Sequence, residues 1–144
     1  MDRNEIMTFL PHRAPMLLLD EVMPAGAHQS QGVYHVRGDK FFLQGHFPGM
    51  PVVPGVILCE IVAQTAGILV KEELMKGRTP LFAGIEKVRF RRMVRPGDRV
   101  DTHCKVLRTV GSLIKLEGEA RVDNELCCEG VFLMMLTDIP GAQA

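Results

Sequence analysis

Tryptophan is absent from the sequence, tyrosine occurs once, and neither sign of charge is in excess. Nucleic-acid-binding domains usually carry a strong basic excess and aromatic residues for base stacking, so this class is disfavoured. No apolar run reaches the roughly 18 residues that a membrane-spanning helix needs. The first residues, MDRNEIMTFLPHRAP, are charged and contain proline instead of an apolar signal core. We therefore expect a soluble, cytoplasmic protein with no nucleic-acid or membrane partner.

The cysteines do not have the spacing of a metal site. None of the four forms a CxxC pair, and the two that are adjacent would point to opposite faces of a strand. We expect no metal and predict reduced thiols, mostly in the core. The four residues are Cys59, Cys104, Cys127 and Cys128.

Periodicity predicts one long helix and several antiparallel strands in a single domain that spans residues 1–144. A short helix is predicted over residues 3–10. Residues 55–74 are apolar almost all round for four turns, which predicts a buried helix of about five turns. Strands are predicted from apolar alternation and turn residues at 16–22, 30–36, 99–107, 113–122 and 127–136.

The order of these elements favours the α+β class. After residue 80 the strands follow one another with no helix between them, which excludes a doubly wound parallel sheet. Residues 113–122 alternate between apolar and charged side chains, as in a sheet with one face in water. The pattern predicts an antiparallel sheet wrapped around one long central helix.

Two ionisable residues stand out against their surroundings. His46 lies in GHFPGMPVVPGV, a stretch stiffened by prolines, and Glu60 is the only charged residue between positions 47 and 70. A carboxylate on an apolar helix must be paired, protonated or next to a cavity. Each residue also has a structural interpretation: His46 as a hydrogen-bonded loop histidine and Glu60 as a salt-bridged helix residue. Together, at the start of one helix, they favour an active site.

Neighbouring residues could complete this site. Gln64 follows Glu60 at i+4 on the same helix face and could orient it. Pro54 and Gly55 begin the helix, where free N–H groups suit a developing oxyanion and glycine allows close approach to the backbone. A simple turn role for Gly55 is the structural alternative. A base, an acid and an oxyanion site suit proton abstraction beside a carbonyl with loss of a hydroxyl.

The segment GHFPGMPVVPGVILCEIVAQTAG (45–67) resembles the signature of the (3R)-hydroxyacyl-acyl-carrier-protein dehydratases of the FabZ type. LPHRAPMLLLDEV (10–22) is similar to the opening motif of that family and GIEKVRFRRMVRPGD (84–98) to a later one. The opening motif departs from the family at Ala14 and Met16, where tyrosine and phenylalanine are usual. Related FabA-type enzymes, which also isomerise the double bond, carry aspartate in place of Glu60.

The resemblance implies a hotdog fold and a homodimer as catalytic unit, with His46 of one subunit facing Glu60 of the other. Family members often form trimers of dimers. The implied reaction is dehydration of (3R)-3-hydroxyacyl-acyl carrier protein to the trans-2-enoyl product in fatty acid biosynthesis, without a cofactor. His46 would be the base, Glu60 would help the hydroxyl leave, and the N–H of Gly55 would bind the thioester carbonyl.

Further residues are expected to contact the substrate or its carrier. The candidates for substrate binding beside Gly55 are Phe47, Val56 and Gln64, and an acyl tunnel is expected near Phe47, Met50, Val56 and residues 80–85. Basic residues outnumber acidic ones between positions 86 and 99, which would suit an acidic carrier protein and its phosphopantetheine phosphate. A solvated strand face is the structural alternative. The predicted carrier-binding residues are Lys87, Arg89, Arg91, Arg92 and Arg95.

Three other functions remain open at this point. A bifunctional dehydratase and isomerase would also move the double bond. An acyl thioesterase on the same fold would activate a water and release free thiol. A non-catalytic protein that binds acyl carrier protein would keep the tunnel and the basic residues but would have no need for His46 and Glu60 together.

Overall fold

The computed structural model describes residues 1–139, so residues 140–144 of the predicted single domain lie outside the described part. Six antiparallel strands form one sheet in the order β1-β2-β4-β5-β6-β3. β3 and β1 are therefore the two edge strands. The strands are β1 (Glu21–Pro24), β2 (Gln29–His35), β3 (Thr79–Phe90), β4 (Arg99–Val110), β5 (Leu113–Val122) and β6 (Glu125–Thr137).

The predicted central helix is present but has three parts. It begins as α2 (Gly55–Ala66), tightens into a 3-10 turn at Gly67–Val70 and ends as α3 (Lys71–Met75). The carbonyl of Pro54 accepts the N–H groups of Ile57 and Leu58 and starts the first turn. The change of geometry begins at Gly67, a weak helix former on which Leu10 packs closely.

The helix α2 packs on the inner face of β2, β4, β5 and β6. The antiparallel sheet around a central helix is thus confirmed. The other helical segments are short: α1 (Arg3–Ile6), which has a capping box between Asp2 and Glu5, and a 3-10 turn at Phe41–Leu43. The predicted strands at 30–36, 99–107, 113–122 and 127–136 correspond to β2, β4, β5 and β6.

The strand predicted over residues 16–22 is largely wrong. Pairing begins only at Glu21, and Leu17 to Leu19 form a buried extended segment instead. The backbone N–H of Leu18 donates to the side-chain oxygen of Gln64 on α2 at 2.9 Å, and not to a neighbouring strand. The triple-leucine run is therefore apolar because it packs beneath the helix, which short apolar runs alone cannot distinguish from a strand.

A buried polar network fixes the rotation of α2 on the sheet. The Thr65 hydroxyl bonds the Ile61 carbonyl at 2.9 Å and the Thr102 hydroxyl on β4 at 2.6 Å. Ser30 on β2 donates to the Thr65 carbonyl at 2.8 Å. Gly118 on β5 leaves the space that Val62 occupies. Because these contacts hold one face of the helix, Glu60 and Gln64 are turned about a third of a revolution away from it.

Candidate active site

His46 lies in the loop that precedes α2. Its Nδ1 is 2.9 Å from the carbonyl of Val52, and its ring stacks on Phe47 with 4.3 Å between the ring centres. The N–H of Val52 donates back to the His46 carbonyl at 2.8 Å. A carbonyl can only accept, so Nδ1 carries the hydrogen and the lone pair of Nε2 is left to take a proton.

We call the depression around this ring the histidine pocket. It is open to solvent and combines apolar side chains with two arginines. Its lining residues are His46, Phe47, Val52, Val53, Gly55, Val56, Leu58, Phe90, Arg91, Arg92 and Met93.

Gly55 opens α2 at the floor of the histidine pocket. Among residues 1–139, the N–H groups of Gly55 and Val56 have no hydrogen-bond acceptor, as expected for the first turn of a helix. A β-carbon on Gly55 would lie 2.7 Å from the ring of Phe90. Glycine is therefore needed here for close packing of Phe90, in addition to leaving the N–H group accessible.

Glu60 lies in a second depression, which we call the carboxyl pocket. Its side chain is 20% exposed, and apolar side chains from α2 and four strands line most of the surrounding wall. The pocket reaches from Glu60 toward the 3-10 turn after α2. Its lining residues are Leu10, His12, Glu60, Ala63, Gln64, Ala66, Gly67, Leu69, Val70, Pro80, Phe82, Val106, Ile114, Leu116, Met134 and Leu136.

Gln64 holds the Glu60 carboxyl, as its i+4 spacing predicts. Its side-chain Nε2 donates to Glu60 Oε1 at 3.0 Å and to the Met16 carbonyl at 2.7 Å. Its Oε1 accepts the N–H of Leu18. These partners fix which end of the amide is nitrogen, and because that nitrogen donates, Oε1 of Glu60 must be an acceptor.

His12 also contacts Glu60, and the sequence analysis missed it. Its Nε2 is 3.2 Å from Glu60 Oε1. The backbone around it is held by Arg13, whose guanidinium donates to the carbonyls of Leu10, His12 and Met7 at 2.9, 2.7 and 3.1 Å. The only available signal was that His12 lies within the opening motif, because 48 residues separate it from Glu60.

The two pockets share no lining residue. Within one chain, the structure does not bring His46 and Glu60 into a common cavity. The residues expected to form a tunnel divide in the same way, since Phe47 and Val56 line the histidine pocket while Pro80 and Phe82 line the carboxyl pocket. Met50 is exposed and lines neither of these two.

The predicted basic residues do not form a single surface. Arg91 and Arg92 line the histidine pocket and pair with Glu129 and Glu125 at 2.8 and 2.9 Å. Lys87 instead lines a depression across β3 to β6. Arg89 and Arg95 are exposed. Only part of the predicted cluster is therefore beside the candidate base.

All four cysteines are free and buried, as predicted. The adjacent Cys59 thiol, next to Glu60 in the chain, and burial both raise the pKa of Cys128. Burial likewise raises the pKa of Cys104. Among the described residues, no three His, Cys, Asp or Glu side chains cluster closely enough to bind a metal ion. Nor do residues 1–139 include a helix with the length and hydropathy of a membrane span.

Comparison with known proteins adds family information to this geometry. A family model described as FabA-like domain matches residues 10–131. The 3-hydroxyacyl-acyl-carrier-protein dehydratase FabZ of Clostridium beijerinckii is 42% identical, with 92% of this chain and 96% of the relative covered. The enzyme of the same name from Oleidesulfovibrio alaskensis is 44% identical over 90% and 86% of the two chains.

Solved structures share the fold at low sequence identity. The dehydratase heterocomplex ApeI:P from Xenorhabdus doucetiae superimposes with a TM-score of 0.78 at 21% identity, covering 93% of this chain and 91% of that one. A hypothetical thioesterase with coenzyme A from Streptococcus pneumoniae gives a TM-score of 0.62 at 12% identity, with coverage of 81% and 84%. These likenesses describe the architecture alone.

Proposed function

The chain belongs to the FabA-like family, as a 3-hydroxyacyl-acyl-carrier-protein dehydratase of the FabZ type, and we propose that two copies of it form each active site. In this proposal His46 of one subunit and Glu60 of the other act on one (3R)-3-hydroxyacyl thioester. The substrate is carried by the phosphopantetheine arm of acyl carrier protein.

One observation carries the proposal: the candidate base and the candidate acid occupy separate pockets of the same chain. His46 presents a free Nε2 to an open depression, whereas Glu60 is held by two side chains in a largely apolar one. If the two groups serve one reaction, they must meet across an interface.

The surface beside the histidine pocket has the properties of such an interface. β3 is a twelve-residue edge strand, and unprotected edges with apolar side chains are prone to pair with another chain. Exposed apolar side chains that are grouped on a surface often mark a contact site. The exposed apolar residues on β3 and around the pocket are Phe47, Met50, Val56, Leu81, Phe82, Ile85, Phe90 and Met93. The catalytic unit that we propose is a dimer. A trimer of dimers would contain the same unit.

The chemistry follows from the orientation of the two groups. The thioester carbonyl accepts the Gly55 N–H at the start of α2, which stabilises the negative charge that develops on its oxygen. His46 Nε2 removes the proton from C2. Oε1 of Glu60 already accepts the Gln64 amide, so Oε2 carries the proton that leaves with the C3 hydroxyl as water. The C2–C3 double bond forms, and proton transfer from His46 through solvent restores Glu60.

The acyl chain would occupy the carboxyl pocket, whose walls beyond Glu60, His12 and Gln64 are apolar. The entrance would lie at the histidine pocket, where Arg91 and Arg92 can attract a phosphate or an acidic carrier. Arg89 and Arg95 would extend this attraction on the exposed surface, while Lys87 lies too far round the sheet to line the same pocket.

Subunit mixing tests the proposal directly. His46→Ala and Glu60→Gln should each lower turnover of a 3-hydroxybutyryl thioester by roughly 100-fold or more. When the two variants are unfolded and refolded together, half of the dimers are mixed and each has one intact site, so about one quarter of the wild-type rate should return. The matched control is the double variant His46→Ala/Glu60→Gln refolded with His46→Ala, which should recover nothing.

The same assays separate the alternatives. If each single variant is inactive and the mixed dimers recover no activity, then both groups act within one chain. That result would refute the shared site. Wild-type protein that releases free thiol without forming an enoyl product would be a thioesterase. Product analysis for a shifted double bond would identify an isomerase.

A further inference from the structure

The carboxyl pocket contains a histidine, His12, to which the proposed reaction assigns no role. His12 follows Pro11 in the segment between α1 and β1, and its ring is 24% exposed. Its Nε2 is 3.2 Å from Glu60 Oε1, the same oxygen that accepts the Gln64 amide. Its Nδ1 is buried and has no hydrogen-bond partner among residues 1–139.

This arrangement selects one tautomer of His12. A buried N–H group without an acceptor is rarer in proteins than an acceptor without a donor. If Nδ1 carried the hydrogen, it would be such a group, and the Nε2 lone pair would face an oxygen that already acts as an acceptor. With the hydrogen on Nε2, the ring donates to Glu60 and only the Nδ1 lone pair is left unpaired.

We propose that His12 is a positioning residue for Glu60, whose Nε2–H, together with the Gln64 amide, holds Oε1 and leaves Oε2 directed to the substrate. The inference rests on the proposed role of Glu60. Two donors on one oxygen restrict rotation of the carboxyl group about its last bond. The proton that leaves with the hydroxyl is thereby kept on the other oxygen.

The surroundings support a fixed His12. Three hydrogen bonds from the Arg13 guanidinium hold the backbone up to His12, at the carbonyls of Met7 and Leu10 and, at 2.7 Å, at the His12 carbonyl itself. The side chains that β3, β4, β5 and β6 contribute to the pocket are apolar. The titratable groups near the Glu60 carboxyl in the described chain are then His12 and the buried thiol of Cys59 on the same helix.

Two substitutions separate donation from packing. His12→Leu removes the donor, and kcat should fall by up to about tenfold, the effect of losing one hydrogen bond, with KM little changed. His12→Gln can keep a donor near Glu60 and should stay within about threefold of wild type.

A double substitution tests whether His12 acts through Glu60. In a Glu60→Gln background, His12→Leu should lower the remaining rate by less than about twofold, because the group it positions is already absent. A tenfold loss in both backgrounds, or equal losses of kcat for His12→Leu and His12→Gln, would make His12 a packing residue and overturn the inference.

Nitrogen-15 NMR of the His12 ring supplies a readout that does not depend on turnover. The wild-type protein at neutral pH should show a protonated Nε2 and a bare Nδ1. The opposite tautomer would overturn the inference while leaving the dehydratase proposal intact. Conversely, an Nε2–H tautomer in a protein that dehydrates no hydroxyacyl thioester would refute the proposed function and leave the His12–Glu60 contact standing.

Discussion

The two halves of the site differ in how completely one chain builds them. The carboxyl pocket is assembled from α2, the segment after α1 and four strands, and its glutamate has two side-chain partners. The histidine pocket is formed by one loop, the start of α2 and the end of β3, and it opens to solvent beside exposed Phe47, Val56 and Phe90.

This difference indicates what each half requires. The carboxyl group must be desolvated and oriented, which the core of a single subunit can provide. The histidine has one hydrogen-bond partner, at Nδ1, and within residues 1–139 the apolar side chains Phe47, Val56 and Phe90 beside it are exposed. The proposed dimer would explain this difference, because a second subunit would cover the histidine pocket while the carboxyl pocket is formed within one chain.

The largest expected effect comes from charging the β3 edge. Ile85→Lys should weaken dimer formation by roughly 100-fold or more, because an unpaired ammonium would be buried at the contact. Dehydratase activity, measured at micromolar protein concentration, should fall as the dimer fraction falls. Leu107→Lys is the matched control, since Leu107 is similarly exposed (45% against 49% for Ile85) but lies on the internal strand β4. Sedimentation velocity measures the dimer fraction, and an unchanged dimer in Ile85→Lys would contradict the interface.

A smaller effect is expected from filling the carboxyl pocket. Ala66 on α2 faces its apolar wall and is 5% exposed. Ala66→Leu should lower kcat/KM for a 3-hydroxydecanoyl thioester about tenfold relative to a 3-hydroxybutyryl one, because the added side chain overlaps the longer acyl chain. Ala27→Leu, at an exposed turn, is the control. Equal losses on both substrates would mean that the acyl chain lies elsewhere.

The smallest effect concerns how α2 is seated on the sheet. A β-carbon at Gly118 would overlap Val62, which is fully buried and has no room to move. Gly118→Ala should lower the free energy of unfolding by about 1 kcal/mol or more, as measured by urea denaturation. Gly38→Ala, where nothing lies within 4 Å of the added carbon, should change it by less than about 0.5 kcal/mol. If Gly118→Ala and Gly38→Ala had the same free energy of unfolding, α2 would have to be free to shift on the sheet.

Some features could be predicted because they depend on neighbours in sequence. The i+4 spacing of Glu60 and Gln64 places them on one helix face, and the structure has them hydrogen-bonded. Alternation over residues 113–122 predicts both ends of β5 correctly. The strand predicted at 16–22 was wrong because the buried leucines pack under α2. A short apolar run indicates that a segment is buried but not which element it packs against.

His12 was missed because only the folded chain brings it to Glu60. The opening motif reaches the carboxyl group through the Arg13 bonds and the packing of Leu10 on Gly67, neither of which has a local sequence signal. The basic residues of the predicted cluster are separated in the structure, also for a reason that the local sequence does not show. Register shifts in β3 between Glu86 and Arg89 change which side of the strand each residue faces, so Lys87 is separated from Arg91 and Arg92.

Local sequence properties were enough to predict the buried helix and the antiparallel strands and to select His46 and Glu60 as candidates, because periodicity and an isolated charge in an apolar segment can be recognised without the fold. Tertiary structure alone decided that these groups lie in separate pockets, that β3 is an exposed edge and that a second histidine holds the carboxyl. Those outcomes depend on how the helix is rotated on the sheet and on the order of the strands, which are set by contacts between residues far apart in the chain.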